Sequence, residues 1–473
     1  MQKSLWKGLL ALLVLLAARS AMAENFVRVS EKNPSYFELS DGTPYVPIGV
    51  NLCILRDSDA SGKVFLLDDS AALKRMEFYF QKLRENGGNY CRVWLGMPPF
   101  EIETEKAGHF DEIRLENVQK LLNLAQKYGI YVKFCFEHFR TLEPRVPYAF
   151  GVVSFGKPIY QTDPPTNVRD FLVSEWGQKC YLTRCAKLAE RFKGHPNVFG
   201  WELWNEVNCV GGGLNWSEKM LPKVHALFPN HLVFQSLGSF DGPWASKSYE
   251  QLVRMPGNDI SQVHRYLDPG AKLEVCRGPM DVLAADSVRE LRQFGVAKPI
   301  IATELGAVQA NHAGPSALYS ADAEGLLLHD ILFAPFFSGA AGPGHCWHWH
   351  EYLEKNDVWW QIGRFARSIS GVNPIEEKFE PFFAEAAPVR VYGLKGTVTT
   401  LVWLRDCEYD WQRELVDHQP AVLRENLVVT IPELAGKTVS AYDPWLDQEV
   451  SVKLDGQKVI LPKFRRSIVL RAK

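Results

Sequence analysis

Two stretches of apolar chain end on a carboxylate. Val198 to Val207 reads V-F-G-W-E-L-W-N-E-V, an apolar and aromatic run that closes on Asn205 and Glu206 before Asn208 and the glycines Gly211 to Gly213 break the pattern. Pro299 to Glu304 is the second, with Glu304 as its last residue. Each reads as a buried strand delivering a side chain at its C-terminal end, where the active sites of parallel α/β barrels lie. By subtraction the two carboxylates are 98 residues apart, which holds three strand–helix units of roughly 30 residues each. Both therefore fall on one rim. Either Glu alone would read as a solvated loop residue. A pair flanking a glycosidic bond can divide the work, one attacking the anomeric carbon and one protonating the leaving oxygen, about 5 to 5.5 Å apart when configuration is retained.

The elements needed to hold such a pair follow from the hydropathy pattern. Phe26 to Leu39 reads as short strands, with a turn at Asp41-Gly42, and this opening hairpin is expected to cover a barrel floor. Strands are then predicted at Tyr45–Asn51, Tyr90–Leu95, Tyr131–Glu137, Val198–Val207, Leu232–Gly238, Ile260–Tyr266, Pro299–Glu304 and Gly344–Trp349. Helices are predicted at Asp69–Asn86, Leu115–Tyr128, Phe171–Phe192, Ala285–Phe294, Ala321–Phe333 and Trp359–Ser368, the first two stopped by Gly87-Gly88 and Gly129. Strands that are apolar along their length belong to a parallel sheet buried on both faces. The expected architecture is α/β, a (β/α)8 TIM barrel spanning residues 24–375. From about Glu376 the texture changes to alternating strands and turns, which predicts a small C-terminal antiparallel β-sandwich domain over residues 376–473.

Charge and composition narrow the partners. A net charge of -2 gives no field for nucleic acid or an anionic membrane surface. Lys3 and Lys7, the apolar run Leu9 to Ala18 and the small residues around Ala23 read as a signal peptide over residues 1–23, so the protein is expected to be exported, periplasmic or extracellular. No later run is long enough to span a membrane. Nine cysteines leave at least one unpaired, and their spacing is not that of a disulfide scaffold. Oligomeric state is not legible.

With these elements in order, the chain resembles a clan-A retaining glycoside hydrolase, similar to the cellulase- and mannanase-like barrels of family five, over about Tyr45 to Ser370. The resemblance implies that Glu206, in the Asn-Glu pair after strand four, is the acid/base and that Glu304, ending strand seven, is the nucleophile. Arg92, in C-R-V-W on strand two, matches the arginine that keeps the nucleophile ionised. Asn205 matches the residue that bonds the sugar 2-hydroxyl. His264 and Tyr266 form the H-x-Y of strand six, and Trp347, in G-H-C-W-H-W, matches the tryptophan beneath the sugar. Trp349 shares its strand parity and is the rival for that place.

His138, after strand three, is expected in the cleft, and Glu202 is expected inside the barrel paired with Arg92. The long segment Phe139 to Asp170 and the glycines Gly211 to Gly213 would wall the cleft into a pocket or line a groove. The implied partner is a β-linked oligo- or polysaccharide, β-mannan or a mannoside ahead of β-glucan, with no cofactor and no metal. Two other readings stay open. One is an inactive carbohydrate-binding barrel. The other is a metal-dependent hydrolase using His138, His264, His345, His348 and His350.

Overall fold

The computed structural model describes residues 25–58, 61, 64–103, 107–138 and 167–473. The signal-peptide expectation and most of the Phe139–Asp170 segment lie outside the described residues. The chain opens with an antiparallel sheet of β1 (Val27–Val29), β2 (Phe37–Leu39) and β3 (Pro44–Tyr45). Phe37 and Tyr45 project from it onto Phe199, at the start of the fourth barrel strand, with ring centroids 5.3 and 6.1 Å away. The floor of the barrel is thus stoppered with aromatics, as the hairpin predicted.

The first barrel strand, β4 (Gly49–Asn51), is shorter than expected because Tyr45 belongs to the hairpin and Pro47 stands between them. Gly49 is required: a Cβ there would sit 1.8 Å from the Tyr90 carbonyl oxygen. After a small hairpin, β5 (Arg56–Ser58) with β6 (Val64–Leu66), the parallel strands continue as β7 (Tyr90–Trp94), β8 (Tyr131–Cys135), β9 (Val198–Glu202), β10 (Leu232–Phe234), β11 (Ser261–Leu267) and β12 (Ile300–Ala307). Their order is β4-β7-β8-β9-β10 in one sheet and β11-β12 in another. Between β10 and β11 the Asp259 N–H donates to the Val233 carbonyl at 3.0 Å.

The predicted eighth strand is reduced to a single bridge at Cys346. It still closes the ring, because the Trp347 N–H bonds the Leu305 carbonyl on one side and the Asn51 N–H bonds the Cys346 carbonyl on the other. Side chains reinforce that seam. Asn51 Nδ2 donates to the carbonyls of Thr303 and Cys346 at 3.0 and 3.2 Å.

Helices α1 (Asp69–Glu85) and α2 (Glu112–Tyr128) are capped by Asp68 and Asp111, and Gly129 ends α2 in the left-handed conformation. The single helix predicted over Phe171–Phe192 is two, α3 (Val168–Val173) and α4 (Glu175–Phe192), because Ser174 turns extended and caps the second through its hydroxyl. Helices α5 (Leu214–Leu227) and α6 (Ala245–Arg254) lie outside the elements predicted from sequence. The outer ring continues with α7 (Met280–Gln293), short α8 (Leu318–Ala321), α9 (Leu326–Phe337) and α10 (Trp360–Ser368).

Past residue 376 the strands form two antiparallel sheets around their own apolar cluster, which joins Val391, Val402 and Leu404 to Val429 and Val459. The larger sheet packs its other face on α9. That helix is apolar on every side apart from His329 and Asp330 and is buried at every position because it lies between barrel and sheet, with Phe333 and Trp403 at 5.7 Å. The contact also carries ions: Arg405 pairs with Asp330 at 2.7 Å, and Arg390 grips Asp281 through two nitrogens at 2.7 and 2.8 Å. None of the nine cysteines is paired.

Candidate active site

Residues from three parts of the barrel converge on Arg92: Asn51 from β4, Glu202 and Asn205 from β9 and the turn after it, and Glu304 from β12. From β7 its guanidinium reaches Glu304 through Nη1, Glu202 through Nε at 2.7 Å, Asn51 through Nη1 at 3.3 Å and the Asn205 carbonyl oxygen through Nη2 at 2.6 Å. All five side chains are buried. A guanidinium spread over so many acceptors cannot rotate, so it fixes Glu304 and Asn205 against one another. Glu202 behaves as the sequence implied, an interior carboxylate paired with Arg92. It also faces the Lys133 amine at 3.4 Å, which burial pulls down to about 8.

The strand expected to run to Val207 stops at Glu202. Beyond it Leu203 to Glu206 peel away as a turn, held by bonds from the Asn205 N–H to the Glu137 carbonyl and from the Glu206 N–H to the Ser236 hydroxyl. Glu206 itself has φ 48°, left-handed for a residue with a side chain. That conformation costs roughly 1–3 kcal/mol and is typical of functional sites. On β11 a register shift between Val263 and His264 brings His264 level with Glu304 on β12, an irregularity of the kind that re-aims a side chain.

The outcome is a compact group. His264 Nδ1 lies 2.7 Å from Glu206 and 3.4 Å from Glu304, and the Tyr266 hydroxyl donates to Glu304 at 2.6 Å. One oxygen of each carboxylate and a ring nitrogen of His264 lie within 4.8 Å of one another.

Electrostatics separates the two carboxyls. Burial and the negative charge of Glu304 push Glu206 well above the ordinary carboxylate range. Burial raises Glu304 as well, but Arg92 and the Tyr266 hydroxyl pull the other way. Two carboxylates this close do not both ionise readily, so a shared proton resides on the partner without a cation, Glu206. Burial, with Arg92 nearby, lowers His264 far below its usual value and keeps it neutral.

The remaining predicted residues are near. Trp347 is half-buried and meets Trp94 at 5.2 Å, whereas Trp349 is only 2% exposed, so Trp347 is the tryptophan with a face to offer. His138 does not open into the cleft. It is fully buried, stacked on Trp94 at 4.8 Å with its Nε2 on the Gly96 carbonyl, and bears on the site through Trp94. Glu137 faces the buried Arg184 at 3.5 Å.

The histidines weighed as metal ligands scatter. His345 bonds the Pro47 carbonyl, His348 the Tyr319 hydroxyl and His350 Glu354. Among the described residues two groups bring three potential ligand atoms together: Glu206–His264–Glu304, and Asp241–Asp268–His312, whose imidazole also packs on the Tyr266 ring at 5.2 Å.

Sequence reasoning did not find Asn51, Trp94, Ser236 or Lys133. Asn51 and Ser236 stand at or just past strand ends, and that position was the one signal available for them.

A family model described as Cellulase (glycosyl hydrolase family 5) matches residues 69–328. Mannan endo-1,4-beta-mannosidase 3 of Oryza sativa subsp. japonica is 24% identical over 260 residues, 48% of this chain and 54% of the rice protein. Mannan endo-1,4-beta-mannosidase 4 of the same rice is 24% identical over 255 residues. The chain spans about half the length of the curated relatives it matches. A solved glycoside hydrolase superposes with a TM-score of 0.62 at 13% identity, covering 95% of this chain and 97% of that one. A glycoside hydrolase family 5 structure from Bacteroides vulgatus superposes with a TM-score of 0.59 at 12% identity, over 95% of this chain and 93% of its own. These superpositions share the fold.

Proposed function

The chain belongs to glycosyl hydrolase family 5, and from that premise we propose that it is an exported retaining glycoside hydrolase acting on β-linked mannan or mannosides, with β-glucan the next substrate. One observation carries the reading: the two buried carboxyls whose oxygens lie within 4.8 Å, one held by Arg92 and Tyr266 and the other without a cation. That closeness suits retention, since inverting enzymes separate their carboxyls by about 6.5–9.5 Å to admit a water. Mannan is placed first because the rice relatives are mannan endo-1,4-beta-mannosidases.

The reaction is a double displacement. Glu304, ionised, attacks the anomeric carbon and forms an ester to the sugar as the glycosidic C–O bond breaks; the proton of Glu206 goes to the departing oxygen. Glu206, now a carboxylate, takes a proton from water, whose oxygen attacks the same carbon and releases Glu304. Asn205, with its carbonyl oxygen on Arg92, turns its amide N–H groups to the sugar 2-hydroxyl, and Trp347 supports the ring. No cofactor enters. We read residues 24–375 as the catalytic barrel and 376–473 as a β-sandwich that braces it through α9.

Glu206, His264 and Glu304 would also fit round a cation, but the fixed positive charge of Arg92 on Glu304 opposes one. Turnover is expected to survive a strong chelator; loss restored by added metal would favour the metal-dependent reading.

Leaving-group dependence tests the assignment. Glu304→Ala should abolish turnover of every substrate with folding intact, whereas Glu206→Ala should spare dinitrophenyl glycosides far more than mannan. Equal losses on activated and unactivated substrates would contradict the role given to Glu206.

A further inference from the structure

One polar side chain beside the reaction centre has no task in this chemistry. His348 follows Trp347 and is only 5% exposed. Its Nδ1 lies 2.8 Å from the Tyr319 hydroxyl, and that hydroxyl already accepts the Ala307 backbone N–H at 2.6 Å. The Tyr319 proton is therefore free to be donated, and His348 Nδ1 is the acceptor within reach. A neutral imidazole carries one ring proton, so here it sits on Nε2. Burial, with Arg56 and His312 near, keeps the ring neutral by bringing it down to about 3. Among the described residues Nε2 has no hydrogen-bond partner. The ring is nearly enclosed, yet Nε2 is not among the fully buried polar atoms, so this donor is left open to whatever enters beside it.

Its position is defined by its neighbours. Gly306 lies two residues past Glu304 on β12, and a Cβ there would sit 2.9 Å from both His348 Nδ1 and the Tyr319 oxygen, so the missing side chain admits the pair to the strand end. On the other side the His348 ring is 6.2 Å from that of Tyr266, the residue whose hydroxyl bonds Glu304. The ring thus follows Trp347 in the chain and lies near the phenol that holds the attacking carboxylate.

We propose that His348 donates its Nε2 proton to one hydroxyl of the sugar seated on Trp347 and so determines specificity, with Tyr319 fixing the tautomer. The proposal rests on the glycosidase reading. The group recognised is a neutral hydroxyl, because the donor is uncharged.

The test is a set of aryl β-mannosides, each lacking one ring hydroxyl, compared by kcat/KM on the wild type, His348→Phe and Tyr319→Phe. If the wild type prefers another sugar, the same set is built on that sugar. The wild type should lose about 10- to 100-fold at one hydroxyl. His348→Phe should lose a comparable factor on the parent and then fail to distinguish the parent from that one deoxy analogue, while its response at the other positions stays that of the wild type.

Tyr319→Phe should weaken discrimination at the same hydroxyl by several-fold. A His348→Phe variant that keeps the full wild-type penalty at every hydroxyl, or blunts all of them equally, would overturn the proposal. Should that variant not fold by thermal melt, an unchanged Tyr319→Phe profile would overturn it alone. Failure of the wild type on every glycoside would overturn the glycosidase reading and this inference with it.

Discussion

Glu206 and Glu304 are the same residue type a few ångströms apart, and what separates their tasks is what each touches. The proposed double displacement needs Glu304 ionised, so its acid limb is set by protonation of Glu304; it needs Glu206 protonated, so activity is expected to fall as pH rises through the raised value of Glu206. The Tyr266 hydroxyl stabilises the ionised form of Glu304. Tyr266→Phe should therefore raise the Glu304 value and move the acid limb to higher pH by about one to two units, since a bond to an ionised group is about 1.5–3 kcal/mol and one unit about 1.4. A kcat/KM profile in which that limb stays in place would contradict the role of Tyr266. Glu206 and Glu304 were legible in the sequence as carboxylates closing apolar runs, and Arg92, His264 and Tyr266 because, in order along the strands, they match residues of the family the chain resembles. Ser236 and Lys133 were not, because a polar residue inside or just beyond a strand has no mark of its own until its neighbours across the barrel are known.

At the scale of elements, the site depends on irregularities that a hydropathy pattern smooths over. Apolar runs located the strands, yet β9 ends four residues before its carboxylate, and the shift at Val263 and His264 decides what faces Glu304. Helices α1 and α2 were readable from their glycine stops. The break at Ser174 was hidden because its signal is one capping hydroxyl within an apolar-periodic stretch. The start of α9 was misplaced because a helix buried on every side has no apolar stripe to date it from. The eighth strand holds its place by few backbone bonds, so the Asn51 side chain matters there. Asn51→Ala should lower stability by about 1–3 kcal/mol and reduce kcat more than it changes KM, because Arg92 loses one of the bonds that orient it. Unchanged chemical denaturation together with unchanged kcat would show that the seam does not need it.

Across the whole molecule, the change of texture near Glu376 announced the second set of strands, but nothing in composition showed that it would share a helix with the barrel. Asp330 and Arg405 are both almost wholly inaccessible and meet across that contact. Arg405→Met should cost about 3–5 kcal/mol, because it leaves a buried carboxylate without its cation, and Asp330→Leu added to it should recover much of the loss. Thermal melts that are equal for the wild type and Arg405→Met would show that the contact is not a brace. The central claim is the double displacement at Glu206 and Glu304, and its most direct measurement is proton NMR of the first sugar released from a β-mannoside or, failing that, from whichever β-glycoside is turned over. Retention predicts that the β anomer appears first and the α anomer only later by mutarotation, with no signal from Glu304→Ala. An α anomer appearing first, or undiminished release by Glu304→Ala, would contradict the account.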